Sequence, residues 1–122
     1  MKQGILTYST ERPQNLSLRK LYGDIYELFA TEDIEETTAP DPAADDADHV
    51  TQYKYALFAD TRKLSGYEAA VSAFIGLKYT TGDELALMRK GFANPADPEY
   101  TTYIEYVEAC KNYARRAFGI TV

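Results

Sequence analysis

Between residues 16 and 30 the apolar side chains Leu18, Leu21, Tyr22, Ile25, Tyr26, Leu28 and Phe29 fall within one arc when spaced at about 100° per residue, with Arg19, Lys20, Asp24 and Glu27 opposite. The spacing predicts an amphipathic helix entered through Asn15 or Ser17 as cap. Gly23 inside it costs up to about 1 kcal/mol relative to Ala and so marks a close helix contact. A second stripe, Val50, Tyr53, Leu57, Phe58 and Leu64, predicts another helix that begins near Asp48.

Three further helices carry start and stop signals. Ser65-Gly66-Tyr67-Glu68 fits a capping box and opens an apolar segment over residues 67–78. Thr81-Gly82-Asp83-Glu84 repeats the signal ahead of Leu85, Leu87 and Met88, with Gly91 as the stop. The last helix has Asp97 as cap, Pro98 at its first position, Glu99 in the positive first turn, Arg115 and Arg116 in the negative last turn and Gly119 just past its end. Its apolar residues sweep an arc roughly twice the ~100° of a one-sided surface helix. Such a helix is either central to a bundle or packed on two sides, one of them another chain.

Gly4 to Tyr8 is a short β-type run, and the tail at residues 120–122 is a second one that either pairs with it or is coil. The predicted fold is therefore mainly α: a single helical domain over residues 1–122, a compact bundle of about five helices with a short N-terminal β-type segment. An acidic, Pro-containing loop at residues 31–48 is inserted between the first and second helices.

Charge sharpens that picture. Glu32, Asp33, Glu35, Glu36, Asp41, Asp45, Asp46 and Asp48 stand in one stretch without a Lys or Arg. Of 19 acids these eight leave 11 against 13 bases elsewhere, so a net charge of −6 becomes +2 outside the tract. The chain reads as a near-neutral body with an acidic strap. Pro40 and Pro42 keep residues 37–44 extended or irregular. Cys110 is the single cysteine, which rules out an intramolecular disulfide, and no apolar stretch approaches the ~18 residues of a membrane span. The N-terminus has neither signal-peptide nor transit-peptide character. A cytoplasmic protein is the expectation, or a virion protein if the chain is phage-encoded.

Candidate chemistry is sparse. His49 and Cys110 are the only soft pair, about sixty residues apart; a cysteine at an apolar helical position is an inert packing residue, and His49 reads as a solvated helix start. Residues 41–52 fail the calcium-loop pattern, with Ala43 at the third position, Asp46 where glycine is needed and Gln52 in place of the bidentate glutamate. Asp24, Glu27, Asp60, Glu68, Glu105 and Glu108 map to polar helix faces, the basic residues are dispersed, and the seven glycines never cluster into a phosphate loop. No catalytic residue, metal or cofactor is predicted, nor direct nucleic-acid binding.

Tyrosine is the compositional outlier, with 11 residues and no tryptophan. Its rigid apolar body and polar tip suit contacts formed partly in water. Tyr106 and Tyr113, with Ala109 between them, are expected to face a partner from the flank of the last helix. These features favour a non-enzymatic assembly or adaptor protein that binds a protein partner or its own copies. Small helical chains of this composition are similar in style to phage-encoded structural and assembly-chaperone proteins, though no motif carries the likeness. The alternative is an acidic inhibitor whose carboxylates imitate nucleic-acid phosphates in a host enzyme's groove.

Overall fold

A computed structural model describes residues 1–40 and 49–119. Four strands precede three helices: β1 (Ile5–Ser9), β2 (Leu16–Tyr22), β3 (Ile25–Pro40), β4 (His49–Lys63), α1 (Tyr67–Lys78), α2 (Thr81–Ala93) and α3 (Pro98–Phe118). The strands form one antiparallel sheet in the order β1-β4-β3-β2. The fold is thus α+β, and the mainly α, five-helix bundle inferred from the sequence is corrected.

The two apolar stripes expected to be the first and second helices are strands instead. Residues four apart, such as Leu18, Tyr22 and Tyr26, satisfy a period of two as well as one of 3.6, so the apolar arc of residues 16–30 also fits a hairpin. Glycine decides between them. Tyr22 pairs with Ile25 across a two-residue loop, Gly23-Asp24, in which Gly23 takes φ +51. A glycine at the first loop position supplies the positive φ that matches the twist of the flanking strands, so Gly23 turns a hairpin where a close helix contact was predicted. In β4, Tyr53, Tyr55 and Leu57 alternate with Lys54, Ala56 and Phe58, and this β-prone alternation overrides the weaker helical stripe. β1 pairs with β4, from Ile5↔Leu57 to Ser9↔Tyr53. The tail proposed as its partner lies outside the described residues.

One face of the sheet carries the core. Leu16, Leu28, Ala30, Phe58 and Leu64 pack against Ala70, Val71, Phe74 and Leu77 of α1 and against Cys110 and Ala114 of α3. Phe74 and Leu28 are fully enclosed, each contributing about 1.5–3 kcal/mol of burial. A smaller cluster of Tyr79, Leu87 and Tyr103 fixes α2 to α3. Ile5, Phe29 and Leu57 stand outside both clusters, and Ile5 is 74% exposed.

The helix ends show how local chemistry sets boundaries. Gly66 is the N-cap of α1, and the capping box predicted at Ser65 is absent, since no side chain caps this end. The box on α2 uses Thr80 and Asp83, one residue earlier than predicted. The helix runs through Gly91 to Ala93 because Gly91 seats the ring of Tyr100 and needs no left-handed backbone there. In α3, Asp97 Oδ1 accepts from the N–H groups of Glu99 (3.0 Å) and Tyr100 (3.1 Å), Pro98 opens the helix, and Gly119 ends it at φ 67.

Candidate functional site

The β3–β4 hairpin is longer than the sheet that holds it. Its pairing runs from Ile25↔Lys63 to Pro40↔His49, whereas β2 reaches only Ala30 of β3 and β1 only Tyr53 of β4. From Thr31 to Pro40 is nine residue steps, about 30 Å of strand. Outward of the Glu36↔Tyr53 pair, the two strands have only each other among the described residues. The acidic loop assigned to residues 31–48 is therefore strand through Pro40, and it joins β3 to β4 where it was predicted to join two helices. Glu32, Asp33, Glu35 and Glu36 sit on this arm; Asp41, Asp45, Asp46 and Asp48 lie outside the described residues.

A bulge interrupts the arm near its root. The step from Glu32 to Glu35 spans three residues opposite two on β4, Ala56 to Lys54. Asp33 absorbs the extra residue with φ 55, a left-handed conformation that Asp tolerates better than most side chains. Beyond it, Glu35 is the register partner of Lys54, an opposite-charge pair that favours this alignment.

Lys78 fastens the root. At the C-terminal end of α1 it is only 7% exposed, and its ammonium donates to the Thr31 carbonyl at 3.0 Å. It stands 3.5 Å from Glu32 Oε2 and 4.4 Å from the centre of the Tyr106 ring. Burial pushes the Lys78 pKa below the usual lysine value, and the Glu32 carboxylate pulls it partly back. Thr31 is tied a second time, its N–H and Oγ1 donating to the carbonyls of Asn15 and Gln14 at 3.0 Å each.

The segment between β1 and β2 walls an open groove of about 940 Å³, lined by Arg12, Pro13, Gln14, Asn15 and Leu16 on one side and by Ala109, Asn112, Tyr113, Arg115 and Arg116 of α3 on the other. Each guanidinium lies 5.9 Å from an aromatic ring centre: Arg12 over Tyr53, Arg115 over Tyr67, Arg116 over Tyr113. Arg115 Nη1 also donates to Asn112 Oδ1 at 3.1 Å.

The three residues predicted to face a partner separate here. Tyr113, half-buried with its ring edge on Phe74, and exposed Ala109 both line the groove. Tyr106 turns inward: its hydroxyl donates to the Phe74 carbonyl, its ring tilts against Tyr79, and burial raises its pKa. Sequence reasoning missed the convergence of Arg12 with Arg115 and Arg116, because the last two are already accounted for by the helix dipole and Arg12 lies about a hundred residues away. It also missed the outer face of α2, where Leu85, Met88 and Phe92 are exposed, Phe92 at 95%.

Cys110 is wholly buried and its thiol is pushed up to about 12, so at neutral pH it is protonated and a poor nucleophile. No group of three or more His, Cys, Asp or Glu among the described residues is arranged to hold a metal ion, and no described helix is long and apolar enough to cross a membrane. The chain matches no protein-family model, and neither a curated protein nor a solved structure shows significant similarity to it.

Proposed function

We propose that this is a non-enzymatic assembly or adaptor protein that works through protein–protein contacts. The observation that carries the reading is the β3–β4 arm, whose outer half adds nothing to either core cluster yet is fastened at its root and bears the acidic tract. Strand pairs that extend past their sheet bury little of their own surface, and the ordering entropy of such an arm is offset when a partner covers it. The helical composition behind the stylistic likeness to phage proteins is not what the chain adopts, so the reading stands on the arm alone. Phosphate mimicry is the weaker alternative, because Glu32 is paired with Lys78 and Glu35 lies opposite Lys54, which takes two of the eight carboxylates out of an even display.

Light scattering over a concentration series, with capture of partners on the immobilised protein, tests this. A variant with Glu35, Glu36, Asp41, Asp45, Asp46 and Asp48 changed to their amides should lose the association or the partner. A strictly monomeric wild type that captures nothing, and an arm variant that behaves identically, would refute it.

A further inference from the structure

Going beyond the arm, we infer that β1 is a dimerisation edge, on which a second copy of this chain adds its own β1 antiparallel and joins two four-stranded sheets into one. β1 is an outer strand of the sheet, and among the described residues nothing pairs with its free side. An edge strand presents a row of unpaired N–H and C=O groups, which folded proteins blunt with charged side chains, proline or a bulge. The opposite edge, β2, is blunted twice: it carries Arg19 and Lys20, and its register shifts between Lys20 and Tyr22. β1 has no such device. Its residues Ile5-Leu6-Thr7-Tyr8-Ser9 include no charge and no proline and pair with β4 without a shift. Ile5, Leu6 and Tyr8 are each more than half exposed, so apolar side chains and free backbone groups coincide on one short strand.

The strand also fits a copy of itself. Centred on Thr7, an antiparallel pairing sets Leu6 opposite Tyr8 of the second copy, Ile5 opposite Ser9, and Thr7 opposite its own counterpart. Leu6 and Tyr8 then make two aliphatic–aromatic cross-strand pairs on one face, and no like charges meet within the strand pair of a chain whose net charge is −6. The same register sends the arms apart. Each arm continues past the Ser9 end of β1, where Ser9 pairs with Tyr53, so a twofold axis at Thr7 directs the two acidic tracts off opposite ends of the joined sheet. A parallel pairing would lay them side by side, where they repel.

The acidic arm end of the same chain falls short of this edge. Residues 41–48 leave and rejoin the hairpin at Pro40 and His49, so they fold back by at most half their length, about 15 Å. From His49, a place beside the free side of Ser9 is about 16 Å away and one beside Ile5 about 28 Å. Residues 120–122 start from the far side of the sheet, since Phe118 packs on Tyr26 of β3, with β4 and β1 between it and the free edge.

Light scattering over a concentration series should find the wild type in a monomer–dimer equilibrium that stops at two, because the contact is isologous. Thr7→Lys and Thr7→Glu, each judged folded by circular dichroism, set like charges opposite each other at the twofold axis and should each dimerise at least about tenfold more weakly. Their equimolar mixture should recover the dimer, because the lysine of one copy then faces the glutamate of the other. Thr7→Cys should give a disulfide-linked dimer under oxidised glutathione, since opposed strand residues lie within the Cα separation that a disulfide spans. Ile5→Cys, four residues out of register with its own counterpart, should not, and buried Cys110 does not compete. Truncation after Gly119 should leave the dimer unchanged. The arm variant described above should keep the dimer while losing the arm's partner, so this contact and the assembly reading fail separately. A monomeric wild type overturns the edge contact even if it captures a partner through its arm. So does a truncated chain that dimerises where the wild type does not, a dimer that both charged Thr7 variants retain at full strength, or cross-linking of Ile5→Cys equal to that of Thr7→Cys.

Discussion

Replacing Lys78 with Met tests whether the fastening of the arm root is worth its desolvation. The substitution keeps the apolar stem but strands the Thr31 carbonyl, at about 1–3 kcal/mol for a buried acceptor left without its donor. It also forfeits the ammonium over Tyr106, up to about 2 kcal/mol where water is excluded. Glu32 Oε2 is then left buried and unpaired, while the cost of burying the ammonium disappears. A wholly buried pair broken on one side costs about 3–5 kcal/mol; the Glu32 side chain is 32% exposed and can turn to water, so the expected loss is about 2–3 kcal/mol. Urea unfolding followed by circular dichroism reads this directly. Glu32→Gln should cost about 1 kcal/mol, and the double variant should cost less than the two singles together because they share one interaction. The pH dependence has a definite sign. The folded-state pKa of Lys78 is lowered, so above it the unfolded chain binds more protons, and the wild type gains stability on Lys78→Met as pH climbs toward about 10.4. A loss below about 1 kcal/mol, or strict additivity in the double variant, would refute the reasoning.

The capping box of α2 gives an acid-range counterpart. Asp83 is held at about 2, chiefly by the Thr80 N–H, so its stabilisation is present above the ordinary carboxylate pKa near 3.9 and is lost as pH falls toward 2. The stability difference between wild type and Asp83→Asn should therefore shrink from pH 5 to pH 2, and a constant difference would count against it. Gly91→Ala sets two effects against each other: helix propensity gains about 1 kcal/mol, while a Cβ pressed into the Tyr100 ring costs about 1–3 kcal/mol. The expected outcome is a lower Tm, partly restored by Tyr100→Ala; an unchanged or raised Tm would mean that the ring swings aside freely.

What was legible in the sequence divides by the range of the physics involved. α3 was legible end to end because its cap, its Pro98 and its terminal glycine act within a turn of where they stand. α1 and α2 were legible in position, with one capping box absent and the other displaced by a residue. The hairpins were not, because the apolar stripe at residues 16–30 satisfies both periods; the overlooked signal was Gly23-Asp24 flanked by pairs such as Leu18 and Leu28. The acidic tract was evident as charge, yet the strand character of its residues 32–40 depends on pairing with β4, which no local pattern encodes. The groove was hidden for a similar reason: Arg12 meets Arg116 only once loop and helix have been brought together by the sheet.

The extra residue at Asp33 sets a rule for how this hairpin can change in length. Inserting one position on β3 swaps the parity of everything distal to it, so that odd-numbered Glu35 continues the side begun by even-numbered Glu32, and Glu36 takes the reverse side. Removing Asp33 alone would straighten the strand and leave Glu35 opposite Lys54, still on the side begun by Glu32. Trimming or extending both strands by two would leave them as they are, so homologous chains with longer or shorter hairpins should differ there by even steps.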